Sequence, residues 1–488
     1  VVNGSSRLKP GVLALALISY VPLLLTHRGK VGADTKSYLY IDPAKLLSKA
    51  PFLWDPSVGL GTVTHQNIGY LFPMGPFYWL AETIGLPDWV AQRIWMGSII
   101  FLAGLGVMSL LRTLRWTGPG TTVAAFAYAL SPYLLHYIYK HSVLLLPFAA
   151  LPWLIALTAK SLRHPGWKHP AIFALIVLAA GGVNATSLLL VLIGPAMWIV
   201  HAVFVDRELP LRAVIAPCLR ITVLTVITSL WWVAGLVLQG RYGIDVLRFT
   251  ETYRTVSNAS SASEVTRSLG YWFFYGIDTL GPWFRAANTY TQSLPVLALS
   301  FAVPLVCVVS GLFTRFRYRV FFVGLTVAGV IVSVGAHPWK SPSPYGSVFK
   351  AFTATASGLA MRSTPRAVPL FALGLAVMLA AGVSALGVRF PDRKLVLSSA
   401  AVLMCIANLS PLVQGRMLDE FLERPEALPT YWNDAAAAID SGNRSTRVLE
   451  VPGIEFANYR WGKTVDPITP GMIDRDYAAR ELVPYGSA

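Results

Sequence analysis

Residues 11–27 read Gly-Val-Leu-Ala-Leu-Ala-Leu-Ile-Ser-Tyr-Val-Pro-Leu-Leu-Leu-Thr-His, an uncharged apolar run, and Gly32-Ala-Asp-Thr-Lys-Ser-Tyr38 follows almost at once. A run of this length and composition fits a membrane-spanning helix, which needs about 20 apolar residues. Arg7 and Lys9 precede it, as they would precede a signal peptide. No small-residue cleavage site comes before His27-Arg28, so we expect a retained anchor. The chain begins with Val rather than Met, and we expect residues ahead of it.

Ten more apolar segments follow, near 91–111, 121–137, 142–159, 170–183, 187–204, 213–238, 295–313, 320–336, 367–388 and 395–409. Gly181-Gly182-Val183-Asn184 divides two of them. The whole chain of 488 residues is 55% hydrophobic and 13% charged, with mean hydropathy +0.55. Soluble domains carry about 25% charge. The expected fold is therefore an all-α polytopic membrane protein with about eleven transmembrane helices.

The formal charge is +16, from 40 Lys and Arg against 24 Asp and Glu. Its distribution argues against nucleic acid. Arg112 and Arg115, then Lys160, Arg163 and Lys168, then Arg207 and Arg212, then Arg315, Arg317 and Arg319, and finally Arg389, Arg393 and Lys394 fall in alternate short loops. This is the positive-inside pattern. The remaining loops, 28–90, 239–294, 337–366 and 410–488, are long and face the other side, where chemistry is expected. Cys218, Cys307 and Cys405 lie in or beside apolar spans and read as packing residues. The absence of Walker A, CxxC and HExxH patterns removes support for ATP-driven transport and zinc chemistry, and no metal site is assigned.

The first long loop carries Ile68-Gly-Tyr-Leu-Phe-Pro-Met-Gly-Pro-Phe-Tyr-Trp-Leu80, aromatic and broken by Pro and Gly. It suits short interfacial helices or a re-entrant hairpin. Beyond Pro411 the composition changes: the tail holds half of the carboxylates, and Arg447-Val-Leu-Glu-Val451 reads as a strand. We expect residues 1–410 to form the transmembrane domain. Residues 411–488 would begin a soluble, β-containing extracytoplasmic domain that a longer protein completes.

Asp34 is the leading candidate for chemistry. A carboxylate just past the first span can act as a general base on an acceptor hydroxyl; the alternative is a loop or capping Asp. Lys36 would keep it ionised or face a donor phosphate. Asp42 and Asp55 each precede Pro and read as turn caps. His65 is a candidate for a phosphate or sugar hydroxyl, or a structural residue. In Met361-Arg-Ser-Thr-Pro-Arg-Ala367, Ser363 or Thr364 reads as an N-cap and Pro365 as the first helical residue. Arg362 and Arg366 flank that start, which makes an anion site or a pair of snorkelling arginines. The 239–294 loop offers Glu251, Arg254, Glu264 and Arg267 beside Tyr271, Trp272 and Trp283, a mixture that suits carbohydrate or an amphipathic interfacial helix.

Taken together these features resemble the GT-C class of membrane glycosyltransferases, and more closely the arabinofuranosyltransferase D family of mycobacterial cell-wall synthesis. The resemblance rests on Asp34-Thr-Lys-Ser-Tyr-Leu-Tyr40 and on Leu53-Trp-Asp-Pro-Ser57 continuing to Thr64-His-Gln-Asn-Ile-Gly-Tyr-Leu-Phe-Pro73. Met361-Arg-Ser-Thr-Pro-Arg366 and Phe456-Ala-Asn-Tyr-Arg-Trp-Gly462 extend it over nearly the whole chain. It implies decaprenyl-phosphoryl arabinofuranose as donor and the arabinan of arabinogalactan or lipoarabinomannan as acceptor. The product would be an α-(1→3) branch, made by inverting displacement at the periplasmic face of the cell membrane. Asp34 would be the catalytic base. Arg362, Arg366, Lys36 and His65 would bind the donor phosphate, and Glu251, Arg254, Arg267 and Trp272 the sugar. No cofactor is implied, and membrane lipids are the other partner. Two rival readings are a transferase for another lipid-linked sugar such as mannose and a lipid-linked glycan flippase. The flippase predicts charged residues at the membrane midplane; only Arg220 lies clearly within a span, near its cytoplasmic end.

Overall fold

The computed structural model describes residues 10–64, 67–245, 247, 250–278, 281–452 and 457–479. Helices dominate, because backbone groups surrounded by lipid must be satisfied within their own segment. Among the described residues, six helices are long and apolar enough to cross a membrane: Asp88–Thr113, Ser142–Arg163, Ala185–Val205, Leu211–Tyr242, Leu294–Phe313 and Thr364–Arg389. Pro10–Leu25, Lys168–Gly181 and Arg319–Val334 are apolar but shorter.

Burial sorts these helices into a centre and a rim. Thr364–Arg389 is 78% buried over its most apolar window and packs on Gly120–Ala129, Leu294–Phe313 and Arg319–Val334. A Cβ on Gly329 would fall 2.4 Å from the Phe371 nitrogen, so two backbones nearly touch there and only glycine fits. Leu211–Tyr242 is 17% buried and turns Leu219, Ile227 and Val237 outward. Lipid is the solvent that suits such a face. Cys307 and Cys405 are free and buried in a shared apolar cluster.

The apolar segment 121–137 departs from expectation. Its helix stops at Ala129, and a 3-10 turn, Pro132–His136, replaces the last third. The cause is Pro132, which disfavours helical geometry at Ser131 and has no amide to donate. The chain leaves the helix early and runs as an irregular segment to Ser142. The break at Gly181–Asn184 forms as expected, with Asn184 accepting from the Ser187 amide at 2.7 Å to cap the helix Ala185–Val191.

Basic loops gather at one end. There Arg163, Arg317 and Tyr318 converge on Glu208 at 3.1, 3.5 and 3.2 Å, and Arg220 lies 5.6 Å from the Trp167 ring. The long segments gather at the other end. The first loop holds short helices, Pro43–Lys49 and Met74–Thr83; the second buries Tyr78 and exposes Trp79 and Leu80. Asp42 caps the first by accepting from the Lys45 amide at 2.8 Å, and Asp55 accepts from the Ser57 amide at 2.9 Å in its turn. The tail folds directly onto this loop. Strand Glu423–Pro425 pairs antiparallel with Lys30–Gly32, and Val448–Glu450 pairs parallel with Tyr477–Ala479. The Tyr477 amide donates to the Ser57 carbonyl at 2.9 Å, and Lys45 pairs with Asp474 at 2.9 Å.

Candidate active site

The strand Lys30–Gly32 delivers Asp34. One edge is held by Glu423–Pro425, and the Ala33 amide continues the ladder to the Leu422 carbonyl at 2.7 Å. On Gly32 the side chain of Gln92 acts as a strand partner, accepting from its amide at 2.8 Å and donating to its carbonyl at 3.1 Å. Arg93, fully buried, donates to the Gln92 carbonyl oxygen at 2.7 Å and to the Lys30 carbonyl at 3.1 Å. Gly32 lies against Tyr139, and a Cβ there would fall 2.2 Å from the ring. After Asp34 the backbone reverses: Thr35 takes φ +57° and its amide donates to the Lys140 carbonyl at 2.8 Å. A non-glycine residue in this region is a strained conformation seen often at functional sites.

Asp34 is 1% exposed. Its carboxylate accepts from the Ser142 amide at 2.7 Å, from the Ser142 hydroxyl, and from Tyr40 at 3.3 Å. Burial pushes it up to about 7, against the pull of those donors. A general base works best near the working pH. Three donors also fix its direction.

Basic residues stand close along the backbone, Lys36 two positions on and Lys140 through the carbonyl that accepts from the Thr35 amide at 2.8 Å. His141 is driven down to about 3 by burial first and then by the charges of Lys140, Arg366 and Lys36. Charges from three parts of the chain, Lys36, Lys140 and Arg366, thus act on one ring. Lys140 is buried, lies 3.0 Å from the Phe273 ring centroid, and is lowered to about 7 by burial and by Lys463. Asp466, raised to about 6 by burial, is opposed by Lys36 and by the Ser37 amide. Arg366 donates to Asn184 at 3.3 Å.

The other expected residues divide. Arg362 lies near this group, but its guanidinium pairs with Glu251 at 3.3 Å and donates to the Leu359 carbonyl at 3.2 Å. Glu251 also accepts from Ser363 at 3.4 Å, which ties the 251 segment to the start of the central helix. Neither Ser363 nor Thr364 caps that helix; Thr364 donates to the Ser333 carbonyl at 3.1 Å and the chain enters through a 3-10 turn, Thr364–Ala367. The correction follows from Pro365, whose missing amide leaves the usual cap without one of its donors. Trp272 sits in an aromatic cluster with Tyr271, Phe273 and Trp283, covering the Lys140 side. Arg254 is exposed. Arg267 is not brought to the site: buried, it donates to Ser300 at 2.8 Å and to the Tyr290 carbonyl at 2.5 Å and pairs with Glu264 at 2.7 Å. His65 lies outside the described residues.

Lys140, His141, Ser142 and Asp466 were not singled out by sequence. Lys140 and His141 fall between the expected segments 121–137 and 142–159 and Ser142 is the first residue of the second, and the signal that marks them is Pro132, which ends the helix early. Asp466 precedes Pro467 and reads as a turn.

A membrane helical bundle whose loop-rich end buries the Asp34 carboxylate just past the first apolar helix has the layout of a membrane glycosyltransferase of the GT-C kind. A family model described as "Alpha-(1->3)-arabinofuranosyltransferase, N-terminal GT-C domain" matches residues 18–488, and the chain belongs to that family. Enzymes named alpha-(1->3)-arabinofuranosyltransferase from Mycobacterium tuberculosis and Mycolicibacterium smegmatis are each 28% identical to it, over 503 and 499 residues. Both alignments cover 96% of this chain but 35% and 34% of the relatives, so the chain spans about a third of their length. A cryo-EM structure of the mycobacterial arabinofuranosyltransferase AftD superposes with TM-score 0.78 at 22% identity, over 99% of this chain and 32% of that one. A mutant form of the same enzyme gives TM-score 0.73 at 22% identity, over 99% and 34%. The likeness to these structures concerns the fold.

Proposed function

We propose that the protein transfers arabinofuranose from decaprenyl-phosphoryl arabinofuranose to the arabinan of arabinogalactan or lipoarabinomannan, forming α-(1→3) branches. The observation that carries this reading is the buried Asp34 carboxylate held by Ser142 and Tyr40 at the loop-rich end, with Lys36 two residues on and the Lys140 carbonyl bonded to the Thr35 amide. The acceptor hydroxyl oxygen attacks the anomeric carbon from the face opposite the lipid phosphate, and its proton passes to Asp34. The anomeric C–O bond breaks with its electron pair on the phosphate oxygen, so configuration inverts. Arg366, Lys36 and Lys140 stabilise the charge that grows on the leaving phosphate, the electrostatic contribution expected in a water-poor site. Arg362, neutralised by Glu251, orients the helix start that carries Arg366. Glu251, Arg254 and Trp272 line the approach of the sugar.

In the same reading the loop-rich end faces the periplasm, because the basic loops mark the cytoplasmic end. All eleven apolar segments cross the membrane of the cell, the shorter helices with help from flanking turns, and residues 411–488 begin an extracytoplasmic β-containing domain. The test is transfer by the full-length protein from synthetic polyprenyl-phosphoryl arabinofuranose to an arabinan oligosaccharide, with the new linkage read by NMR. Preferential use of a mannose donor, or no transfer from either donor, overturns the assignment.

A further inference from the structure

A polar groove of about 880 Å³ opens at the loop-rich end, between the helix Arg285–Gln292, the start of Leu294–Phe313, and the segment Gln414–Glu420. Its volume is near the upper limit of small-ligand sites, about 300–1,000 Å³. Asn288, Thr289, Gln292, Ser293 and Gln414 line it. Among the described residues, none of these five side chains makes a hydrogen bond within the protein, whereas Thr291, on the same helix but not in the groove, is spent on the Ala287 carbonyl. The wall thus offers amides and hydroxyls that both donate and accept.

Some charges along the groove are met within the protein, while Arg416, also in its lining, makes no ion pair among the described residues. Arg285 pairs with Glu420, and Asp419 is held by the Arg285 and Phe421 amides at 2.7 and 3.0 Å. His27 meets Glu423 at 2.9 Å. Five uncommitted amide and hydroxyl side chains with one guanidinium beside them suit a polyhydroxylated chain, whose hydroxyls can both donate to and accept from such a wall. Its position gives the second argument. Asp419 and Glu420 line the groove, and two residues later the Leu422 carbonyl takes the Ala33 amide, next to Asp34. One short segment therefore forms the groove's wall and positions the candidate base.

We propose that this groove binds the acceptor glycan, holding several neutral sugar residues on the far side of the residue whose hydroxyl reaches Asp34. The proposal rests on the transferase reading above and adds where the acceptor lies. The test uses the full-length protein with arabinan oligosaccharides of increasing length. Asn288→Trp fills the groove, and Gln292→Ala trims one amide without adding bulk. For long acceptors, KM should rise at least tenfold in Asn288→Trp and a few-fold in Gln292→Ala. Donor KM and turnover of the shortest acceptor should stay at parent values. Parent-like KM for every acceptor length in both variants overturns the groove assignment while leaving the transferase reading standing. Loss of donor binding or of short-acceptor turnover in Gln292→Ala, with the fold intact by melting temperature, also overturns it, because the groove would then serve the donor. Absence of transfer in the parent itself refutes the transferase reading instead.

Discussion

Removing the Ser142 hydroxyl should move one limb of the pH–rate profile and leave the other in place. In the free protein Asp34 sits near 7 and Lys140 near 7. The base works only when deprotonated, so activity rises with pH through the Asp34 value. The phosphate-binding lysine works only when protonated, so activity falls as pH passes the Lys140 value. The parent kcat/KM should therefore be bell-shaped and centred near neutrality, since this ratio reports free-enzyme groups. In Ser142→Ala the carboxylate keeps the Ser142 amide and Tyr40 but loses one hydroxyl donor. A hydrogen bond to a charged group contributes about 1.5–3 kcal/mol, and one pH unit corresponds to about 1.4 kcal/mol. Asp34 then titrates about 1–2 units above Lys140, and only the small fraction with Asp34 ionised and Lys140 protonated is active. The acid limb should stay near neutrality, the alkaline limb should move up by about 1–2 units, and the maximum should fall. Ser142 also accepts from the Trp95 indole at 2.9 Å. The variant therefore leaves a buried N–H unpaired at a cost of about 1–3 kcal/mol, and Trp95→Phe controls for that loss. The assay is transfer from synthetic polyprenyl-phosphoryl arabinofuranose between pH 5.5 and 9, chosen to span both limbs. An alkaline limb and a maximum that both stay where the parent has them, in a folded Ser142→Ala protein, refute the placement of Asp34 as base.

Further outcomes follow from the same geometry. Gly32→Ala must displace the Tyr139 ring or the strand, and a shift of even 1 Å at the base should reduce kcat about a hundredfold; parent-like kcat in a folded protein contradicts the strand's role. Lys140→Met should raise donor KM and abolish the alkaline limb, so a profile still falling above pH 7 assigns that limb elsewhere. Arg366→Ala should weaken donor binding more than Arg362→Ala, because Arg362 is already paired with Glu251; equal losses would place both at the phosphate. Arg267→Ala, stripped of its bonds to Ser300, the Tyr290 carbonyl and Glu264, should lose about 2–4 kcal/mol of stability while donor KM stays at the parent value, read by thermal unfolding beside kinetics.

The bundle was legible in sequence because lipid imposes one simple demand, long apolar runs, and because basic residues mark one side. Asp34 stood out for the same reason: it lies a few residues past the first apolar run. The cluster around it was harder to read. Lys140 and His141 fall between apolar stretches and Ser142 opens the next one, and the early end of the Gly120–Ala129 helix, caused by one proline, decides whether they sit in a span or in the site. Hydropathy averages over that single residue. Long-range partnerships are less visible still. Gln92 clamps Gly32 from inside an apolar helix, and the tail reaches back some 390 positions to pair Glu423–Pro425 with Lys30–Gly32. Arg267 shows the reverse error. Its setting among aromatics and carboxylates looked suited to sugar, but the same composition serves a buried anchor between helices, and only geometry separates the two.

The most direct test compares the full-length parent with Asp34→Asn for transfer of arabinofuranose to an arabinan oligosaccharide, at equal membrane expression and melting temperature. Asn keeps the size and the capacity to accept from Ser142 but cannot take a proton at neutral pH. The account predicts product from the parent and a loss of at least a thousandfold in kcat in the variant, with donor KM nearly unchanged. Turnover in Asp34→Asn within tenfold of the parent would contradict it.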